Sequence, residues 1–237
     1  TNAYRLVIDN KKDLSGLPEG VVSAAAEAAK EAGMEGKWVF TLHNPSIIPF
    51  LQYADNRALR EQIYEAYINR GSNPNANNNW ENISKMVSLR AQKAKLLGYP
   101  DYASYVIDDN MAKTPENVYA LCNQIWKAAL PNAKAEAAEL QKLIYRTGGK
   151  FKLAPWDWRY YSEKLKKQKY GLDETEISQY FPLEKVREGA FYVANKLYGV
   201  TFTQRNDIPV PHPDALAFEV KDADGSHIGI LYADYFP

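Results

Sequence analysis

The chain has 237 residues, is 46% hydrophobic, and sets 29 Lys+Arg against 29 Asp+Glu for a net charge of +0. That suffices for a sizeable core, in one domain or two small ones. It gives no electrostatic reason to expect nucleic acid or an anionic membrane as partner, and no apolar run approaches the roughly 20 residues of a membrane span.

The first residues, TNAYRLVIDN, carry no initiator Met and no basic-then-apolar signal pattern. Ala3 to Ile8 is a short extended candidate, and Gly16, Pro18 and Gly20 mark a loop. Val22 to Ala32 reads as an Ala-rich helix closed by Gly33, and Trp38 to Leu42 is β-prone. Asn44-Pro45 predicts a helix start with Asn as cap and Pro in the first turn. Asn56 is the expected cap of the next helix, in which Leu59, Ile63, Ala66 and Tyr67 share a face. Residues 71–79, GSNPNANNN, form the clearest loop, since Asn, Gly and Pro supply turn geometry and little to bury.

Asn82 to Leu97 predicts a helix ending at Gly98, and Asp101 can cap a short helix through Val106. Asn82-Ile-Ser84 also fits a glycosylation sequon, a pattern common by chance. Thr114-Pro115 opens the longest helical segment, which runs to Thr147 with Gly148-Gly149 as its stop. Pro131 lies well inside it and predicts a kink or break, because an interior Pro removes a hydrogen bond and clashes with the preceding turn. The single cysteine, Cys122, excludes an internal disulfide and a Cys-rich metal site. Its helical apolar setting reads as a buried structural thiol.

Pro155 to Phe202 carries three helices with clear punctuation. Pro155 suits a first helical position. Trp158, Tyr161 and Leu165 fall on one face, and Trp156, Tyr160, Glu163 and Lys167 on the opposite, more polar one. Gly171 can close this helix in a left-handed conformation. Asp173 and Glu176 have the spacing of a capping box. Pro182 starts the third helix, with Leu183, Val186, Ala190, Val193 and Leu197 along one side and Gly199 at its end. Beyond it, Leu216, Phe218 and Val220 alternate with Ala217, Glu219 and Lys221, Asp224-Gly225 makes a turn, and Ile228, Ile230 and Tyr232 alternate with Gly229, Leu231 and Ala233. This pattern predicts a β-hairpin. His212 sits between two prolines just before it.

The fold class expected is therefore mainly α, multi-helical with a small antiparallel β-hairpin near the C-terminus. No phosphate-binding Gly loop, Gly-x-Ser-x-Gly elbow or fixed-period repeat is present. His43, His212 and His227 stand in three separate contexts, and none is followed by Glu. They read as surface or satisfied histidines rather than metal ligands, so the sequence offers no catalytic and no metal-binding residue of its own.

The pieces WDWRYY, YFPLEKVREG and LYGVTF resemble the thimet oligopeptidase-like zinc metallopeptidases. Gly36 to Glu61 (GKWVFTLHNPSIIPFLQYADNRALRE) and Ala94 to Pro115 (AKLLGYPDYASYVIDDNMAKTP) point to the bacterial peptidyl-dipeptidase branch. The resemblance runs from about Leu14 to Pro237. It implies a peptidase that hydrolyses oligopeptides and releases C-terminal dipeptides in the bacterial cytoplasm or periplasm. The attacking group would be a zinc-activated water with a Glu as general base. The zinc motif of that family, H-E-x-x-H, lies C-terminal to the segment resembling GILYADYFP, where this sequence stops. The resemblance thus implies the middle portion of a peptidase, inactive by itself, whose zinc and missing C-terminal catalytic part are elsewhere.

It further implies a helical portion over residues 1–204 and a hairpin segment over residues 205–237 that walls the substrate cleft. His227 to Phe236 would form that wall, holding a peptide along a strand edge. The cleft candidates are His212, His227, Gly229, Tyr232, Asp234 and Tyr235, with Trp156 and Tyr160 as a second exposed aromatic pair. Two plainer readings stand beside these: a hairpin that only completes a small sheet, and aromatics that pack against a neighbouring helix. The competing functional reading is a stand-alone helical interaction module without enzymatic activity. Continuation of the reading frame into H-E-x-x-H, or a stop codon, separates the two.

Overall fold

Leu6 and Ile8 alternate with Val7, and this places two apolar side chains on one side of strand β1 (Leu6–Ile8). It pairs antiparallel with β2 (Trp38–Phe40), Leu6 opposite Phe40 and Ile8 opposite Trp38. The computed structural model in which these elements are seen describes residues 3–235. Helices α1 (Glu19–Glu31), α2 (Asn44–Tyr53) and α3 (Arg57–Ile68) enclose a core with this ribbon. Phe40, Ile47, Phe50 and Ile63 are its largest buried apolar side chains, and the Phe40 and Phe50 rings meet at 4.6 Å. Asn56 caps α3 as its sequence position predicts, accepting from the Leu59 N–H. The cap of α2 is His43, one residue before the expected Asn44.

Helix α4 (Trp80–Leu96) starts two residues before the expected Asn82 and ends ahead of Gly98. Asp101 caps α5 (Tyr102–Ile107) by accepting from the Ser104 N–H at 2.8 Å. Helix α6 (Pro115–Arg146) begins at the expected Thr114 cap. It runs unbroken through Pro131, so the expected break does not occur. Lys127, whose carbonyl loses its partner there, is exposed, and water can take that bond. The N-terminal half of α6 buries nothing: Leu121, Ile125 and Trp126 are exposed, as are Trp80, Met86, Val87 and Leu89 on α4. Cys122 shares this setting and is exposed, which corrects its reading as a buried thiol. The apolar period around it is real, but no described element covers that face.

The C-terminal half of α6 differs. Leu140, Leu143 and Ile144 are buried against Tyr160 and Tyr161 of α7 (Pro155–Tyr170). Gly171 ends α7 at φ +63°, in the left-handed conformation its sequence position predicts. The chain divides into two compact units after Gly171.

In the second unit, α8 (Glu174–Ser178) follows Asp173 directly, and α9 (Leu183–Tyr198) ends at Gly199 with φ +74°. The apolar stripe read from the sequence, Val186, Val193 and Leu197, is exposed. The half-buried side of α9 is instead Leu183, Arg187, Phe191 and Ala194. Phe191 selects it, stacking on Phe202 at 4.0 Å and meeting Phe218 edge-on at 5.1 Å. These rings come from β3 (Thr201–Gln204) and β4 (Leu216–Lys221), which pair antiparallel, and β4 pairs with β5 (His227–Ala233). The predicted hairpin is thus two strands of a three-stranded sheet ordered β3-β4-β5. The third strand comes from Val200 to Thr203, where β-branched and aromatic residues follow the turn at Gly199. Among the described residues no helix is long and apolar enough to cross a membrane.

Candidate functional site

Strand β5 holds His227, Gly229 and Tyr232, and Asp234 and Tyr235 follow it directly. His227, Tyr232, Asp234 and Tyr235 are exposed and Gly229 is half-buried. Phe236, the last member of the expected wall, lies outside the described residues. Gly229 stands opposite Val220 and His227 opposite Lys221, so Ile228 is an extra residue that bulges the strand. A Cβ at Gly229 would meet nothing within 4 Å, so crowding does not require glycine there. β5 is the last strand of its sheet, and no strand pairs beyond it among the described residues. Such an edge can hydrogen-bond an extended backbone whatever its side chains.

Glu219 organises the charges on this sheet. Its carboxylate accepts from Arg205 Nη1 at 2.8 Å, and its Oε1 lies 3.1 Å from His227 Nδ1, a donor when that nitrogen carries the proton. Lys221 is 3.8 Å away. The bonds from His227 and Arg205 hold the Glu219 carboxyl below its ordinary value. Arg205 also grips Asp207 through two bonds, 2.8 and 2.6 Å, which holds that carboxyl down at about 2. The cluster therefore stays ionised near neutral pH. Its carboxylates are engaged by cations, so none is poised as a general base.

The histidines do not converge. His43 caps α2 in the first unit. His212 Nδ1 accepts from the Asp214 N–H at 3.3 Å, and His227 Nδ1 faces Glu219. Among the described residues no group of three His, Cys, Asp or Glu side chains could hold a metal ion.

Trp156 and Tyr160 lie in the first unit. Tyr160 is buried, and its hydroxyl donates to Asp55 Oδ1 at 2.6 Å. Trp156 packs at 6.1 Å from Tyr64 and its buried Nε1 finds no partner. Their side of α7 is thus a packed one, while Trp158 on the opposite side is exposed. The residues that settle this were missed in the sequence. Asp157 is fully buried and accepts from Arg57 Nε and Nη2, from Arg60 Nη2, and from the Ala154 N–H. Arg60 donates further to the carbonyls of Ala54, Asp55 and Trp156 and stacks on the Tyr160 ring at 4.0 Å. Asp157 at the third position of a Pro-initiated helix was the available signal, but it names no partner.

The geometry has counterparts among known proteins. The model of peptidase family M3 matches residues 50–237. The chain is 40% identical over 232 residues to a dipeptidyl carboxypeptidase of Escherichia coli, covering 98% of this chain and 34% of that protein. It is 35% identical over 241 residues to oligopeptidase A of the same organism, covering 100% of this chain and 35% of that protein. An organellar oligopeptidase A of Arabidopsis thaliana is 34% identical over 243 residues, covering 99% of this chain and 30% of that protein. The chain spans about a third of the length of these curated relatives. M3 peptidases are metallopeptidases, yet the scattered histidines and cation-bound carboxylates described here do not fit a catalytic metal. With a match that covers most of its length, this chain belongs to peptidase family M3.

Proposed function

We propose that the whole protein is a zinc-dependent peptidase that hydrolyses oligopeptides and releases C-terminal dipeptides. The observation that carries this is the 40% identity, across nearly the whole chain, to a relative named dipeptidyl carboxypeptidase. In this reading residues 1–204 are helical scaffold and residues 205–237 wall the substrate cleft. The open edge of β5 supports the second part, because a peptidase of many sequences gains by gripping backbone. His227, Gly229, Tyr232, Asp234 and Tyr235 would face the peptide, with His212 at the approach to the strand. Trp156 and Tyr160 would act through the fold. The zinc ligands and the general base would lie in the part of the relatives' length that this chain does not span.

The test is digestion of an N-blocked tetrapeptide by the whole-length protein, followed by mass spectrometry. Release of the C-terminal dipeptide, lost on chelation and restored by zinc, is the expected result. Cleavage only at internal bonds of longer peptides would replace the dipeptidase reading with an oligopeptidase one, and no cleavage would overturn both. The 237-residue chain by itself should carry no stoichiometric zinc and cleave nothing. One zinc per chain with chelator-sensitive cleavage would refute that placement of the site.

A further inference from the structure

The Arg205 N–H donates to the Ala217 carbonyl at 2.9 Å, so Ala217 turns its backbone polar groups toward β3. Along an antiparallel strand these groups alternate from side to side. Phe218 therefore turns toward its register partner Leu231, whereas Ala217 and Glu219, opposite Tyr232 and Ile230, turn away from β5. Ile230 and Tyr232 then aim their own N–H and C=O groups outward, at the edge that carries no further strand among the described residues. Their side chains are 37% and 47% exposed.

Sheet edges are ordinarily blunted by charge, proline or short length. β3, at the other edge, is four residues of Thr, Phe and Gln. β5 is seven residues, HIGILYA, without Lys, Arg, Asp, Glu or Pro. Its sequence is also complementary to itself. A two-fold axis at Leu231 sets Ile230 of one strand opposite Tyr232 of the other, twice. Each of these pairs can exchange two backbone hydrogen bonds, and each sets a β-branched residue against an aromatic on one face. The antiparallel sense also brings His227 of one strand to the end where Asp234 of the other lies, opposite charges once His227 is protonated.

We propose that the β5 edge docks a second copy of this chain in that register, joining two three-stranded sheets into one. The contact is isologous, so it closes at a dimer. It does not depend on the peptidase reading, since it needs only the strand and its sequence.

Sedimentation velocity across a dilution series of the 237-residue chain, with hydrogen exchange on the same samples, tests it. The Leu231 amide is protected at every concentration, and the Ile230 and Tyr232 amides gain protection as dimer forms. Ile230→Pro removes an outward donor and leaves the β4 pairing in place, and should weaken the dimer at least tenfold. Tyr232→Lys, which keeps the backbone, serves if circular dichroism shows that the proline variant has lost structure. A monomer at all concentrations would overturn the proposal. So would association that persists in Tyr232→Lys without added protection at Ile230 and Tyr232, which would assign it to the exposed faces of α4 and α6.

Discussion

Arg60 and Asp157, 97 positions apart, meet in the interior of the first unit with Nη2 2.9 Å from Oδ1. Arg60 is 1% exposed and Asp157 0%. One guanidinium ties the end of α2 to α3 and α7, and every strong acceptor around it is used. A buried pair of this kind gives modest net stability, but either partner left alone is a costly charge.

Asp157→Ala should therefore destabilise the first unit by about 3–5 kcal/mol, and Arg60→Ala by a similar amount. Arg57→Ala should cost clearly less, since that side chain is 32% exposed and water can replace its partner. Urea unfolding followed by tryptophan fluorescence measures all three. Equal losses at Arg57 and Arg60 would contradict the ranking.

Tyr160→Phe removes the hydroxyl that donates to Asp55 and should cost about 1.5–3 kcal/mol at neutral pH, the range for a bond to a charged group. Burial, then the bond to Asp55, raise the Tyr160 phenol well above its ordinary value of 10.0. The unfolded chain then ionises first, and stability is lost as pH climbs from about 10 toward the folded value. Burial pushes the Asp55 carboxyl up, but the Ser15 and Tyr160 hydroxyls and nearby Lys164 and Arg60 outweigh it and leave it lowered. Its stabilisation is present above the ordinary value of 3.8 and is lost as pH falls below it, through the folded value. Tyr160→Phe should flatten both limbs of the stability profile, measured by urea midpoints across pH.

Gly16 has φ +86°, and a Cβ there would lie 2.2 Å from the Tyr53 carbonyl oxygen. Gly33 has φ +72° with nothing within 4 Å. Both alanine substitutions meet the left-handed penalty of about 1 kcal/mol, but only Gly16→Ala must also displace backbone. Its urea midpoint should fall well below that of Gly33→Ala, and equal midpoints would mean the loop moves freely from α2.

Cys122, on the exposed half of α6, should react with a thiol reagent such as DTNB in the native chain about as fast as in urea. Modification that waits for unfolding would show the α6 face to be covered in solution.

The division between local and tertiary information is visible in single residues. Asn56, Asp101, Thr114, Gly171 and Gly199 were legible because a cap or a left-handed turn acts over three or four residues. The strands of the hairpin were legible because alternation survives in six or seven residues. The burial of Cys122, the packing side of α9 and the fate of Pro131 were not, since periodicity tells which residues share a face and not what covers it. The sequence by itself determined the mainly helical class, its punctuation and a family resemblance carried by WDWRYY and YFPLEKVREG. Only the tertiary structure decided that Asp157 is the partner of Arg57 and Arg60, and that β5 is left with an open edge. Both depend on contacts between residues far apart in the chain, and pairwise Coulomb and backbone hydrogen bonds leave no trace in local spacing.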